Sequence, residues 1–139
     1  MGRLRVDRLC GPPARLVADG PGGPRELSPC CYVARSALAR TIGLLATPDL
    51  ADDEALWIEP CASVHTFLLR AHIGCAFLAP DGRVLRVVDP LPRGRVASAR
   101  GARAVVERAA GGLNGLEPGA LARLDFSARS EDLGPAAGG

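Results

Sequence analysis

Two cysteines and two histidines fall within one short run: Cys61, His65, His72 and Cys75 in "PCASVHTFLLRAHIGCAFLAPDGRVLRVV", from Pro60 to Val88. Thiolate and imidazole are the usual ligands of zinc and the nucleophile and base of cysteine hydrolases, so both chemistries have to be weighed. The spacing argues against each. On a straight strand Cys61 and His65 are about 13 Å apart, whereas atoms sharing one zinc ion lie about 3.5–4 Å apart, so the pair chelates only if the chain bends between Pro60 and Ser63. His72 is on the opposite face from His65 by strand parity. A cysteine nucleophile also needs a base and an orienting partner, and no Asp or Glu lies between Pro60 and Pro80. The favoured reading is a core histidine at His65, beside Phe67 and Leu69, with no catalytic residue, metal or cofactor. The alternative is a small-ligand or metal site built on Cys61 and His65, with Arg70 and His72 nearby.

The elements that would position these residues are read from periodicity and turn chemistry. "PDGR", Pro80 to Arg83, predicts a hairpin with a type I′ turn, because Asp-Gly tolerates positive φ at both central positions. Its register sets Leu78 opposite Leu85, Ala76 opposite Val87, and Phe77 opposite Arg86. "RLRV" and "ARLVAD" (Ala14 to Asp19) read as edge strands, and "GPGGPRELSP" between them and the next element reads as a loop. From Ser36 the period changes: Leu38, Ile42 and Leu45 form one stripe of "SALARTIGLLA", an amphipathic helix with Ser36 as its N-cap and "TPD" as its stop. "ALWIEP" is a short strand whose Trp57 belongs to the core or its edge. "DPLPRGRVASARGA" reads as a solvated loop in which Arg93 and Arg95 are candidates for an anion or an acidic partner. "RAVVERAAGG" and "EPGALARLDF" supply the last two strands, and the polar tail after Phe126 is expected to be disordered.

At 139 residues the chain suits one domain with a single core. All 17 basic residues are Arg, interspersed with acids to a net charge of +2, so the clustered basic face that phosphate recognition needs is missing. With aromatics at 4% there is no stacking platform either, and nucleic-acid binding is not expected. No apolar run reaches signal-peptide or membrane-spanning length, which predicts a cytoplasmic protein without membrane insertion. Five cysteines with no CxxC spacing suggest neither a disulfide framework nor a zinc ribbon, and reduced thiols are expected.

The ordered run "LARTIGLLATPDL…ALWIEPCASVHTFLLRAHIGCAFLAPDGRVLRVV…LPRGRV…ARAVVERAAGGLNGLEPGALARL" resembles the bacterial domain of unknown function 192 family, also called uncharacterised protein family 0127, over roughly Ala34 to Phe126. The pattern matched is a GLL helix, "PCxxVHTFxMRFPIDVxFLDxDGRVL", "LPxR", a strand like "AxxVLELPAG", and a closing "GLxxGDxL". Shared positions include Gly43, Leu44, Leu45, Pro60, Cys61, His65, Thr66, Phe67, Arg70, Phe77, Asp81, Gly82, Pro92, Glu107, Gly111 and Gly119. The departures are Leu69 for Met, His72 for Pro, and Gly74, Ala79 and Ala120 for Asp. Three carboxylates are thus replaced, and an activity resting on those acids would be lost here.

The resemblance implies an α+β fold: a small single domain, mostly antiparallel β-sheet or a partly closed barrel, with one or two helices. Residues 1–33 would form N-terminal strands and a loop, 34–126 the domain itself, and 127–139 the tail. The family has no established reaction, and its association with envelope and pilus-assembly functions implies an accessory role. The expectation is therefore a small non-enzymatic binding or accessory domain with a protein partner, of open oligomeric state.

Overall fold

The turn at Pro80–Arg83 closes the hairpin from which the rest of the fold can be traced. In the computed structural model, which describes residues 12–35, 50–65 and 73–127 and only the backbone of His65, Gly82 alone of the turn has positive φ, at 92°. Its N–H donates to Ala79 O at 2.9 Å, and Ala79 N–H donates to Arg83 O at 2.9 Å. The expected type I′ turn is corrected to a type I turn closed by a glycine bulge, because Pro80 pre-sets the helical φ of its first central position. Asp81 Oδ1 accepts from Arg83 N–H at 3.0 Å and fixes the corner.

That hairpin joins β5 (Ile73–Leu78) to β6 (Val84–Leu91). Ala76 pairs with Val87 and Phe77 with Arg86 as the register expected, but an irregularity next to the turn pairs Leu78 with Val84 rather than Leu85. Seven strands form one sheet in the order β6-β5-β8-β3-β2-β1-β9. The others are β1 (Ala14–Gly20), β2 (Gly23–Ala34), β3 (Glu54–Ile58), β8 (Ala104–Ala109) and β9 (Leu121–Asp125). β4 (Ser63–His65) and β7 (Val96–Ser98) pair separately as a two-stranded ribbon. The sheet is open, its edges meeting at one end only, where Arg83 bridges Leu121 and Ala122 N–H donates to Gly82 O.

The α+β expectation is overturned: the described elements are all strands, and the core is sheet packed on itself and on the ribbon. The expected helix from Ser36 lies outside the described residues, as do "RLRV" and the tail from residue 128. It falls in the connection between β2 and β3, the one parallel pair among the seven strands. Two other expectations change. β1 is an interior strand between β2 and β9, and the presumed loop "GPGGPRELSP" is mostly β2, which turns at Pro21 and Gly22. Pro29 is accommodated because the β1–β2 register slips between Ser28 and Cys31, so its missing N–H costs no ladder bond. Part of "DPLPRGRVASARGA" is likewise strand, in β6 and β7.

Strand alternation divides the apolar residues into two faces. Leu16, Ala55, Trp57, Ala76, Leu78, Val84, Val106 and Ala122 fill the concave side of the sheet. On the other face Ile73, Cys75, Phe77 and Val105 pack beneath the ribbon residues Val64 and Ala97, and Tyr32, Ala34, Leu56 and Ile58 form a neighbouring cluster. One end of the concave core is closed by Arg108, a buried guanidinium that donates to the carbonyls of Glu54, Leu27, Gly112 and Asp52. Among the described residues no helix is long and apolar enough to cross a membrane.

Candidate functional site

The cysteine and histidine stretch lies only partly within the described residues. β4 puts Val64, 2% exposed, into the core beneath the ribbon. Cys61 precedes the strand, its N–H donating to Arg103 O at 2.9 Å and its thiol to Ser63 O at 3.1 Å. Arg70, His72, Phe67 and the His65 side chain lie outside what is described. Arg93 and Arg95 are exposed on the connection from β6 to β7. The four described cysteines are in no disulfide, and among the described residues no three His, Cys, Asp or Glu side chains cluster as a cation would require.

The sequence reading placed no acid beside these groups, but the sheet brings one. Glu107 on β8 pairs directly with Cys75 on β5 and is 2% exposed. Burial pushes the Cys75 thiol up to about 12, the Glu107 and Asp89 charges add to the shift, and the Arg86 guanidinium partly offsets it. A thiol held that high keeps its proton at neutral pH and is a poor nucleophile. Arg86 is itself engaged, donating to Ser98 O at 2.7 Å. The sequence signal for Glu107 was a single carboxylate inside the apolar run "AVVERA".

A different constellation forms where the other ends of the strands converge. Trp57 ends the concave core and donates its Nε1–H to Glu59 Oε1 at 2.9 Å. Arg35, just after β2, places Nη2 3.9 Å from that same oxygen, and Arg103, just before β8, places Nε 3.7 Å from Glu59 Oε2. Leu124 and the half-exposed Phe126 form the opposite wall, and the Pro80–Gly82 turn closes a third side around a cavity of about 360 Å³. This mouth combines an aromatic floor with charged groups in fixed positions, which is the composition of small-ligand sites. A larger cavity of about 530 Å³ lies between Gly20–Arg25 and Gly115–Ala120, but it is walled mainly by Gly and Pro. Its arginine, Arg25, donates to Asn114 O at 2.7 Å. Sequence reasoning singled out Trp57 as core and missed the mouth, because its members come from four separate strand ends.

Two solved structures share the fold. One, a protein of unknown function from Novosphingobium aromaticivorans DSM 12444, is 20% identical with a TM-score of 0.67, covering 78% of this chain and 83% of that one. The other, from Sinorhizobium meliloti 1021 and provisionally described as a transcription regulator, is 17% identical with a TM-score of 0.68, covering 80% and 92%. At these identities the likeness concerns the fold alone. No curated protein matches the sequence. The model of the DUF192 family, described as uncharacterized ACR, matches residues 23–124, and the chain belongs to that family.

Proposed function

We propose that this chain is a non-enzymatic binding domain, accessory to another activity, whose ligand enters the mouth between Trp57 and Phe126. The observation that carries the reading is the pairing of an apolar floor with the Arg35, Glu59 and Arg103 triplet around an open cavity. The chemistry on the opposite face supports it from the other side: the Cys75 thiol is buried and protonated, and Cys61 is turned onto its own backbone at Ser63. Cytoplasmic location, a protein partner and a role beside envelope or pilus assembly belong to the same reading as the context of an accessory domain.

The test is ligand-observed NMR of a general fragment library against the wild type and a Phe126→Ser variant. Binders that release from the variant, with no chemical turnover of any fragment, support the reading. A fragment library that yields no binder, or one that is chemically converted, contradicts it.

A further inference from the structure

At the mouth, among the described residues, donor capacity exceeds the acceptors that face it. Both oxygens of Glu59 already face cations, and Oε1 also accepts from Trp57. The arginine contacts, at 3.9 and 3.7 Å, are longer than the roughly 2.7–2.9 Å of a charge-assisted hydrogen bond, so attraction holds the two guanidinium groups close without consuming their N–H donors. Each guanidinium carries about five such donors in a planar fork suited to carboxylate. The two side chains are 61% and 58% exposed, which leaves the forks open to an incoming group. The remaining acid on the lining, Asp81, spends an oxygen on Arg83 N–H within its own turn. Next to the forks lie Trp57, Leu124 and Phe126, and Phe126 is 50% exposed, a large apolar surface turned toward solvent at the cavity edge.

We propose that the mouth binds an apolar group ending in a free carboxylate: the carboxylate bridges Arg35 and Arg103, and the apolar body lies over Trp57 against Leu124 and Phe126. This deepens the binding reading and rests on it. The arrangement discriminates by charge, because a neutral amide in the same place offers one uncharged acceptor oxygen where a carboxylate offers two charged ones, and turns N–H groups toward guanidinium donors. It also selects against short polar acids, which would leave the aromatic floor wet. The carboxylate can come from a small aromatic or aliphatic acid or from the C-terminus of a peptide ending in an apolar residue.

Trp57 is the only tryptophan in the chain, so its emission reports the site directly. The experiment titrates the full chain with 3-phenylpropionate, with 3-phenylpropionamide, and with the tripeptide Ala-Ala-Phe in free and C-amidated forms. The proposal expects saturable changes with each acid, weaker for the matching amide by about tenfold or more. In the Arg35→Gln, Arg103→Gln double variant the acids should fall to the level of the amides, with the melting temperature unchanged. Tighter binding of the free tripeptide than of phenylpropionate would identify a peptide C-terminus as the source, and the reverse order a small acid. Equal binding of acid and amide overturns the carboxylate assignment and leaves the binding reading standing. Failure of all four probes to move Trp57 overturns the assignment as well, with the fragment screen deciding the broader reading separately.

Discussion

The Asp89 carboxylate stands where a side chain on Gly74 would have to begin. A Cβ at Gly74 would lie 2.5 Å from Asp89 Cγ and 2.7 and 2.8 Å from its oxygens. Those oxygens accept from Gly111 N–H at 2.7 Å and Leu113 N–H at 2.8 Å, fastening the turn that delivers Leu113 to the concave core. The register slip between Ile73 and Cys75 turns Asp89 toward Gly74 across the β5–β6 pair. The absence of a side chain at Gly74 is what makes room for the Asp89 carboxylate.

Gly74→Ala should therefore destabilise the domain by about 1–3 kcal/mol, by driving Asp89 off its two amide partners. In an Asp89→Ala background the same substitution should cost much less. A double-mutant cycle by urea unfolding checks this, and strictly additive effects would contradict the contact.

The turn makes a second prediction. Gly82→Val places a β-branched residue at φ 92° with its Cβ 2.5 Å from Ala122 O, so both the turn and the junction of the sheet edges suffer. A loss of about 3 kcal/mol or more is expected in thermal unfolding. Asp81→Ala, at a position of ordinary φ, should cost only about 1 kcal/mol, the value of one lost side-chain hydrogen bond. A severe Asp81→Ala effect would restore the type I′ assignment.

Cys75 links stability to alkaline pH. The folded thiol keeps its proton up to about 12 against an ordinary 9.0, so the native state binds more protons than the unfolded state between those values. Stability from this group is complete below pH 9 and falls as pH rises through the window, with a slope approaching about 1.4 kcal/mol per unit. Denaturant unfolding followed from neutral to alkaline pH should show a steeper decline in the wild type than in Cys75→Ala. Parallel curves would mean that Cys75 titrates normally.

Arg108 should tolerate no replacement. Its guanidinium serves four carbonyls from three segments: Asp52 and Glu54 ahead of and in β3, Leu27 in β2, and Gly112. Arg108→Lys keeps the charge but cannot reach all four from one ammonium, and a loss of about 3 kcal/mol or more follows from hydrogen bonds to charged groups worth roughly 1.5–3 kcal/mol each. Chemical denaturation that finds Lys equivalent to Arg would show that charge alone closes this end of the core.

What could be read from the sequence was local. Asp81 and Gly82 marked the hairpin, and the pairs Ala76 with Val87 and Phe77 with Arg86 followed from it. The runs around Trp57, Val105 and Leu124 were legible as strands because apolar alternation is written within a few residues. β2 was hidden by its glycines and prolines, whose effect depends on a register slip that only the partner strand creates. The pairing of Cys75 with Glu107, and the meeting of Arg35 and Arg103 on Glu59, join residues far apart in the chain, so no local spacing announces them. The carboxylate of Asp89 beside Gly74 comes from another strand, so no spacing within the β5 run announces it.

The most direct measurement is chemical-shift mapping of the isotopically labelled domain with any fragment that binds it. The account predicts perturbations centred on the Trp57 indole N–H, Arg103, Leu124 and Phe126. Shifts confined instead to Cys61, Val64 and Cys75 would contradict it and return the binding site to the cysteine and histidine face.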